Sequence, residues 1–303
     1  MRSGFSEQQA ELRALAAERN AVILAHNYQR AEVQDAADLV GDSLELSRRA
    51  AATDAEIIVF CGVHFMAETA KILSPQKTVL MPETEAGCPM ADMLTPERLR
   101  ALKAEHPGAV VVAYVNTSAA IKAETDICCT SANAVEIVGR VPADREIIFV
   151  PDQHLGDWVR RQTGRDMILW PGYCPTHALI LPQDVEARRR EHPGAKVMAH
   201  PECSRAVLDL ADVVTSTSGM LRFPEGDDAR AYVVATEVGL LTGLRKRYPD
   251  RTFVAASEYA VCPNMKLTTL EAAIHGLREM SGEIVVPPEI AARALRAVQR
   301  MVE

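Results

Sequence analysis

Aromatic side chains are scarce in this chain, at 5% of 303 residues. That scarcity argues against an aromatic-rich β-sandwich or a secreted domain, and it suits small-residue packing of helices on parallel strands. Long hydrophobic runs are missing too: the apolar stretches are strand-sized, far short of the roughly 20 residues of a membrane span. The first thirty residues carry no basic segment followed by an apolar one, the pattern of an export signal. A cytoplasmic chain with no membrane contact is therefore expected. Nor is there a dense Lys/Arg stripe, and the formal net charge is −8, so no nucleic-acid partner is expected. The short basic runs at Ala187 to Arg190 and Arg245 to Arg247 read as solvated helix faces. The seven cysteines are odd in number and scattered, which fits a reducing compartment better than a disulfide framework.

What is present is a repeat. The length exceeds one ordinary hydrophobic core, so two or three domains are expected. Apolar runs at Ala21–Ala25, Val110–Ala113 and Ala195–Ala199 are each followed by polar or aromatic residues: His26-Asn27-Tyr28, Tyr114-Val115-Asn116 and His200-Pro201-Glu202. His26, Tyr114 and His200 lie 88 and 86 residues apart. The same offsets separate Asp38, Asp126 and Asp212, each followed five residues on by a hydroxyl side chain: Ser43, Ser131 and Thr217. A Cys-Pro pair recurs at Cys88, Cys174 and Cys262, with spacings of 86 and 88.

Each copy reads as four short strands alternating with helices, which implies right-handed βαβ crossovers and a parallel sheet. The expected architecture is α/β, with three homologous α/β/α domains whose four-stranded sheets surround a central site in pseudo-threefold fashion. Boundaries are expected near residues 103 and 190, giving units 1–103, 104–190 and 191–303, with flanking helices at 1–20 and 272–303. In open parallel sheets the ligand site lies beyond the carboxyl ends of the strands, where every repeated landmark falls.

Three repeated thiols without a fourth suit a metal centre that keeps an open position for substrate or water, and such a metal is a Lewis acid. Cys61 and the Cys128-Cys129 pair sit within strands and read as core residues, while Cys203 has no counterpart in the other copies. A Cys3His zinc site using His177 of Cys174-Pro-Thr-His177 is an alternative. Ser43, Ser131 and Thr217 each begin a helix-like stretch, where a hydroxyl can cap free N–H groups and where anions also bind. His26 and His200, with Tyr28, Tyr114, Asn116 and Glu202 around them, supply titratable groups and donors for carboxylates. His64, His154 and the Asp152–Gly156 turn lie at helix starts, further from the centre.

Segments including Leu24-Ala-His-Asn-Tyr-Gln29, Gly41-Asp-Ser-Leu-Glu-Leu46, Thr130-Ser-Ala-Asn-Ala134, Cys174-Pro-Thr-His177, His200-Pro-Glu-Cys203 and Cys262-Pro-Asn-Met265 together resemble the quinolinate synthase family over nearly the whole chain. The resemblance implies a [4Fe-4S] cluster on Cys88, Cys174 and Cys262. It also implies condensation of iminosuccinate with dihydroxyacetone phosphate to quinolinate, phosphate and two waters, in NAD biosynthesis. His26, Ser43, Tyr114, Asn116, Ser131, His200, Glu202 and Thr217 are then the expected substrate contacts, and Tyr28, Glu202 and His26 the expected catalytic groups. A transient contact with an L-aspartate oxidase or dehydrogenase that makes the imine is a candidate partnership. Some family members carry a Cys-x-x-Cys-x-x-Cys run around the third ligand, where this chain has Cys262 alone. An iron-sensing module and an aconitase-type hydro-lyase are the competing readings; a sensor would need an output segment, and none is recognisable.

Overall fold

The twelve strands of the computed structural model form three parallel sheets of four. It describes residues 2–302; Met1 and Glu303, at the outer ends of the expected flanking helices, lie outside the described residues. The first sheet holds β1 (Ala21–His26), β2 (Leu39–Gly41), β3 (Ile57–Cys61) and β4 (Thr78–Leu80). The second holds β5 (Val110–Tyr114), β6 (Ile127–Cys129), β7 (Ile147–Val150) and β8 (Ile168–Leu169). The third holds β9 (Lys196–Ala199), β10 (Val213–Val214), β11 (Ala231–Ala235) and β12 (Thr252–Ala255). In each sheet the first strand lies between the second and third, in the orders β2-β1-β3-β4, β6-β5-β7-β8 and β10-β9-β11-β12. The fold is α/β with three similar domains, as the periodicity implies.

The repeated Asp has a structural task in every copy. Asp38, Asp126 and Asp212 each accept a backbone N–H of the central strand through Oδ2, from Ile23 at 2.7 Å, Val111 at 2.8 Å and Val197 at 2.7 Å. Their own amides donate back to the carbonyls of the same three residues. Each Asp thus ties the edge strand to the centre of its sheet. The turn into each central strand also repeats, with left-handed backbone at Asn20 (φ 49°), Gly108 (φ 89°) and Gly194 (φ 82°), a region open mainly to Gly and Asn.

Helices that follow the Cys-Pro loops pass to the next sheet. Helix Pro96–Glu105 begins eight residues after Cys88, and its Leu99 packs with Val111 and Ala113 of the second sheet. Helix Pro182–Glu191 stands eight after Cys174, and its Val185 packs with Val197, Ala199 and Val233 of the third. Helix Leu270–Glu279 stands eight after Cys262 and turns back to the first sheet, where Leu270, Ala273, Ile274 and Leu277 join Ile23, Ala25, Val59 and Cys61. Helix Arg2–Glu18 packs beside it through Leu12 and Ala16. The last helix, Pro288–Val302, follows the third repeat in sequence but lies against helix His64–Leu73 of the first and against β6 and helix Ala119–Lys122 of the second. No helix among the described residues is long and apolar enough to cross a membrane.

Candidate active site

Residues that follow the strands of all three sheets line one central cavity of about 160 Å³, an order of magnitude more than the space one water needs. Its wall brings together all twelve residues singled out from the sequence: Cys88, Cys174 and Cys262; His26 and Tyr28; Ser43, Ser131 and Thr217; Tyr114 and Asn116; His200 and Glu202. Asn116 Oδ1 and Glu202 Oε1 are buried there without a hydrogen-bond partner. A buried oxygen left unpaired costs free energy, so both are poised for a donor that arrives with a ligand.

Each thiol sits at the start of a short helical turn with Pro as its first residue, Pro89–Asp92 after Cys88 and Pro175–Ala178 after Cys174, and a 3₁₀ turn at Asn264–Lys266 after Cys262-Pro263. Proline suits that position because its missing N–H would be unpaired anyway. Burial pushes the three thiols up, Cys88 to about 12, against the pull of backbone amides from Ala91, His177 and Met265 that approach Cys88, Cys174 and Cys262 respectively. The three thiols line the same cavity, and the charge of Cys88 would be disfavoured by that of Cys262 as well as by burial. Cys61, Cys128 and Cys129 lie buried in strands away from this wall.

A second group centres on Glu202. Its Oε2 lies 3.1 Å from both His177 Nδ1 and His200 Nδ1. His177 Nδ1 is also 3.1 Å from Cys174 Sγ, but the carboxylate is the stronger acceptor; the Glu202 amide points its N–H at His200 Nδ1 from 3.4 Å, a longer and uncharged contact that the carboxylate at 3.1 Å outweighs. Both imidazoles therefore carry their proton on Nδ1. Their Nε2 atoms accept, at 3.1 Å from Ser131 Oγ for His200 and 2.9 Å from Thr236 Oγ1 for His177. Thr236 Oγ1 in turn lies 2.6 Å from Tyr28 Oη. His26 has the opposite tautomer, since the Tyr28 amide donates to its Nδ1 at 3.2 Å and leaves the proton on Nε2. Burial alone would raise the Glu202 carboxyl, but His177, His200 and the Tyr114 hydroxyl hold it down at about 2.

Capping departs from the sequence expectation. Asp42 and Ser216 cap the helices at 43–52 and 217–222, so Ser43 and Thr217 are first helical residues, and Ser131 stands two before the cap residue Asn133. An Asp or Ser one residue upstream outcompetes them for the free N–H groups. Their hydroxyls are released for other partners: Ser131 meets His200, and Thr217 accepts from Asn27 Nδ2 at 2.9 Å. Arg205 pairs with Asp209 at 3.8 Å and leaves Glu202 to the imidazoles.

His177 belongs to this centre, as do Thr236 and Glu237, which sequence reasoning missed. His177 lies one turn after Cys174, a signal that was legible. Thr236 and Glu237 follow β11, the third strand of its copy, where the other copies have Gly62-Val63 and Pro151-Asp152 and no repeated side chain marks the position. Cys174, His177 and Glu202 have donor atoms within 4.8 Å of one another and could hold a metal ion.

Buried neutral imidazoles make the fold acid-sensitive. Burial and the neighbouring His200 lower His26 from 6.5 to about 3, and burial lowers His177 to about 4. The unfolded chain regains values of about 6.5 and binds more protons below that pH, so this stability is complete above about 6.5 and is lost as pH falls toward 4 and 3. Glu202 follows lower, between about 4.5 and 2. The melting temperature of the metal-free chain is expected to fall already between about pH 6.5 and 5, before ordinary carboxylates titrate. A flat profile there would show that these rings are not held neutral.

The family model described as quinolinate synthetase A protein matches residues 10–303. A quinolinate synthase of Dehalococcoides mccartyi (strain CBDB1) is 54% identical over 297 residues, 98% of this chain and 97% of the relative. One from Geobacter metallireducens is 54% identical over 292 residues, covering 96% of each chain. Quinolinate synthase 1 of Methanosarcina acetivorans is 53% identical over 298 residues, 97% of this chain and 98% of its own. With a triplicated sheet, one shared cavity and relatives matched end to end, the chain belongs to the quinolinate synthase family.

Proposed function

We propose that this chain is a quinolinate synthase that condenses iminosuccinate with dihydroxyacetone phosphate to give quinolinate, phosphate and two waters. The observation that carries this reading is the convergence of three repeat-related thiols on the cavity that also holds the Glu202 and imidazole group. The thiols fit a [4Fe-4S] cluster: each has backbone amides approaching its sulfur, and burial that disfavours a bare thiolate makes a cationic partner favourable. Cys88, Cys174 and Cys262 would hold such a group, and the chemistry it would supply is that of a Lewis acid toward a substrate hydroxyl or carboxylate.

The chain's own residues bind, orient and move protons. His26 Nε2–H and the Ser43 and Thr217 hydroxyls, which line the cavity, are donors for carboxylates and phosphate. A carboxylate held near 2 is a weak base, so Glu202 acts by fixing the Nδ1–H tautomers of His177 and His200. Their Nε2 atoms then accept hydrogen bonds, from the Ser131 hydroxyl on one side and from the Thr236 hydroxyl, itself bonded to Tyr28, on the other, and are the sites where a substrate proton relayed through those hydroxyls can be taken up.

A second reading, a single metal on Cys174, His177 and Glu202, is favoured by the closeness of their donor atoms. Iron and sulfide analysis of anaerobically purified protein, with its electron paramagnetic spectrum, separates the two. Cluster-bound iron with matching sulfide is expected, along with phosphate release from dihydroxyacetone phosphate. A colourless protein with one zinc per chain would overturn the cluster. Air is expected to abolish activity and chelators to hasten the loss, because an iron lacking a protein thiolate is the first to leave. Full activity after aerobic destruction of the cluster would contradict its catalytic role.

A further inference from the structure

We propose that Glu237 is a positioning residue that fixes the Cys262 loop against the end of the first repeat's central strand. The proposal rests on the reading of Cys262 as a cluster ligand. Glu237 stands two residues beyond β11 and is fully buried. Its Oε1 accepts the Cys262 amide at 3.1 Å and the Lys266 ammonium at 2.9 Å, and its Oε2 accepts the Gly239 amide at 2.7 Å. Lys266 then donates to the carbonyl of Tyr28. One carboxylate therefore links the backbone of a thiol-bearing residue, through one lysine, to the backbone of a residue placed at the proton-transfer group.

The knot has no slack. A Cβ at Gly239 would lie 2.7 Å from Glu237 Oε2 and 2.9 Å from Lys266 Nζ, so only glycine fits beside the pair. Removing one partner of a buried ion pair leaves the other charge uncompensated, which loosens whatever the pair holds.

The other repeats carry this device only in part or not at all. The strand registers place Asp152 at the equivalent position of the second copy and Val63 in the first. Asp152 is also fully buried; its Oδ1 caps helix Gln153–Thr163 and the Cys174 amide approaches its carboxylate, but Ala178 stands four residues after Cys174 where Lys266 stands four after Cys262, so no lysine carries the link onward. In the first copy Val63 carries no carboxylate, and the loop before Cys88 is held by the His64 amide donating to the Ala86 carbonyl at 2.9 Å. Cys88 has no such carboxylate and touches the Cys262 loop only through Asn264 Nδ2, which donates to the Gly87 carbonyl at 2.8 Å, so it serves as the comparison site expected to respond less than Cys262.

The test compares the wild type with Glu237→Gln in two states. In the metal-free chain, alkylation of each cysteine by iodoacetamide is timed by peptide mass mapping; in the anaerobically reconstituted chain, cluster loss to a chelator is followed by absorbance. Glu237→Gln is expected to speed labelling of Cys262 and loss of the cluster by about tenfold or more, with Cys88 labelling within about twofold of wild type. If the single variant is unstable, the double variant Glu237→Gln/Lys266→Met leaves no orphan charge and is expected to show the same selective rise. Unchanged Cys262 labelling, or an equal rise at Cys88 and Cys174, would overturn the proposal, the latter by showing a general loosening. A wild-type chain that takes up no iron and sulfide would instead overturn the cluster reading, while the labelling arm still decides the role of Glu237.

Discussion

Replacing Cys88, Cys174 or Cys262 with Ser is expected to abolish cluster assembly outright, whereas Cys61→Ser and Cys129→Ser leave it intact. The contrast rests on position. The first three line the central cavity at the starts of short turns, with backbone amides approaching their sulfurs. Cys61 and Cys129 are fully buried within β3 and β6, where a hydroxyl can be accommodated at the cost of some stability and nothing else. Iron and sulfide per chain after anaerobic reconstitution, with melting temperature as a folding control, reads the difference. A serine variant of the first group with normal iron and sulfide would remove that residue from the ligand set.

Glu202→Gln is expected to lower turnover by about 10²-fold or more while cluster content stays normal. The amide keeps the size of the carboxyl but cannot accept from both His177 Nδ1 and His200 Nδ1 with the strength of a charge, so the tautomers that present Nε2 as acceptor lose their anchor. Binding is expected to survive, since His26 is oriented by the Tyr28 amide and the Ser43 and Thr217 hydroxyls are untouched. Steady-state turnover and substrate affinity, measured beside iron content, separate the cases. Turnover within about threefold of wild type with an intact cluster would reduce Glu202 to a packing role.

The triplication was legible in the sequence because the residues that recur are those that every copy needs for itself or for the centre. The Asp of the second landmark is the clearest case: its period was visible, but its reason, a pair of hydrogen bonds to the central strand, is not. Capping went astray at Ser43 and Thr217 because Asp42 and Ser216 compete for the same amides, and register at a helix start turns on one residue. Thr236, Glu237 and Lys266 escaped for another reason. Together they stand in one copy only, so no period announces them, and their partners lie up to 238 residues away in the chain. The docking of helix Pro288–Val302 on the first two repeats was equally hidden, since sequence order assigns it to the third.

The return of helix Leu270–Glu279 to the first sheet has a consequence for synthesis. The first and second sheets each pass a continuous peptide to the next, but the ring closes from third to first by non-covalent contacts, the packing of this helix and the backbone bonds of Gly282 and Ile284 to Met81 and Val79 beside β4. A ribosome finishes β4 of the first repeat long before it makes Leu270, Ile274 and Leu277. At about 5–20 residues per second, the apolar strip formed by Ile23, Ala25, Val59 and Cys61 waits on the order of ten to forty seconds with helix Arg2–Glu18 on one side only. During that interval the nascent chain presents a surface of the kind that holdase chaperones recognise, and a ribosome stalled in the third repeat would leave it bare for as long as the stall lasts.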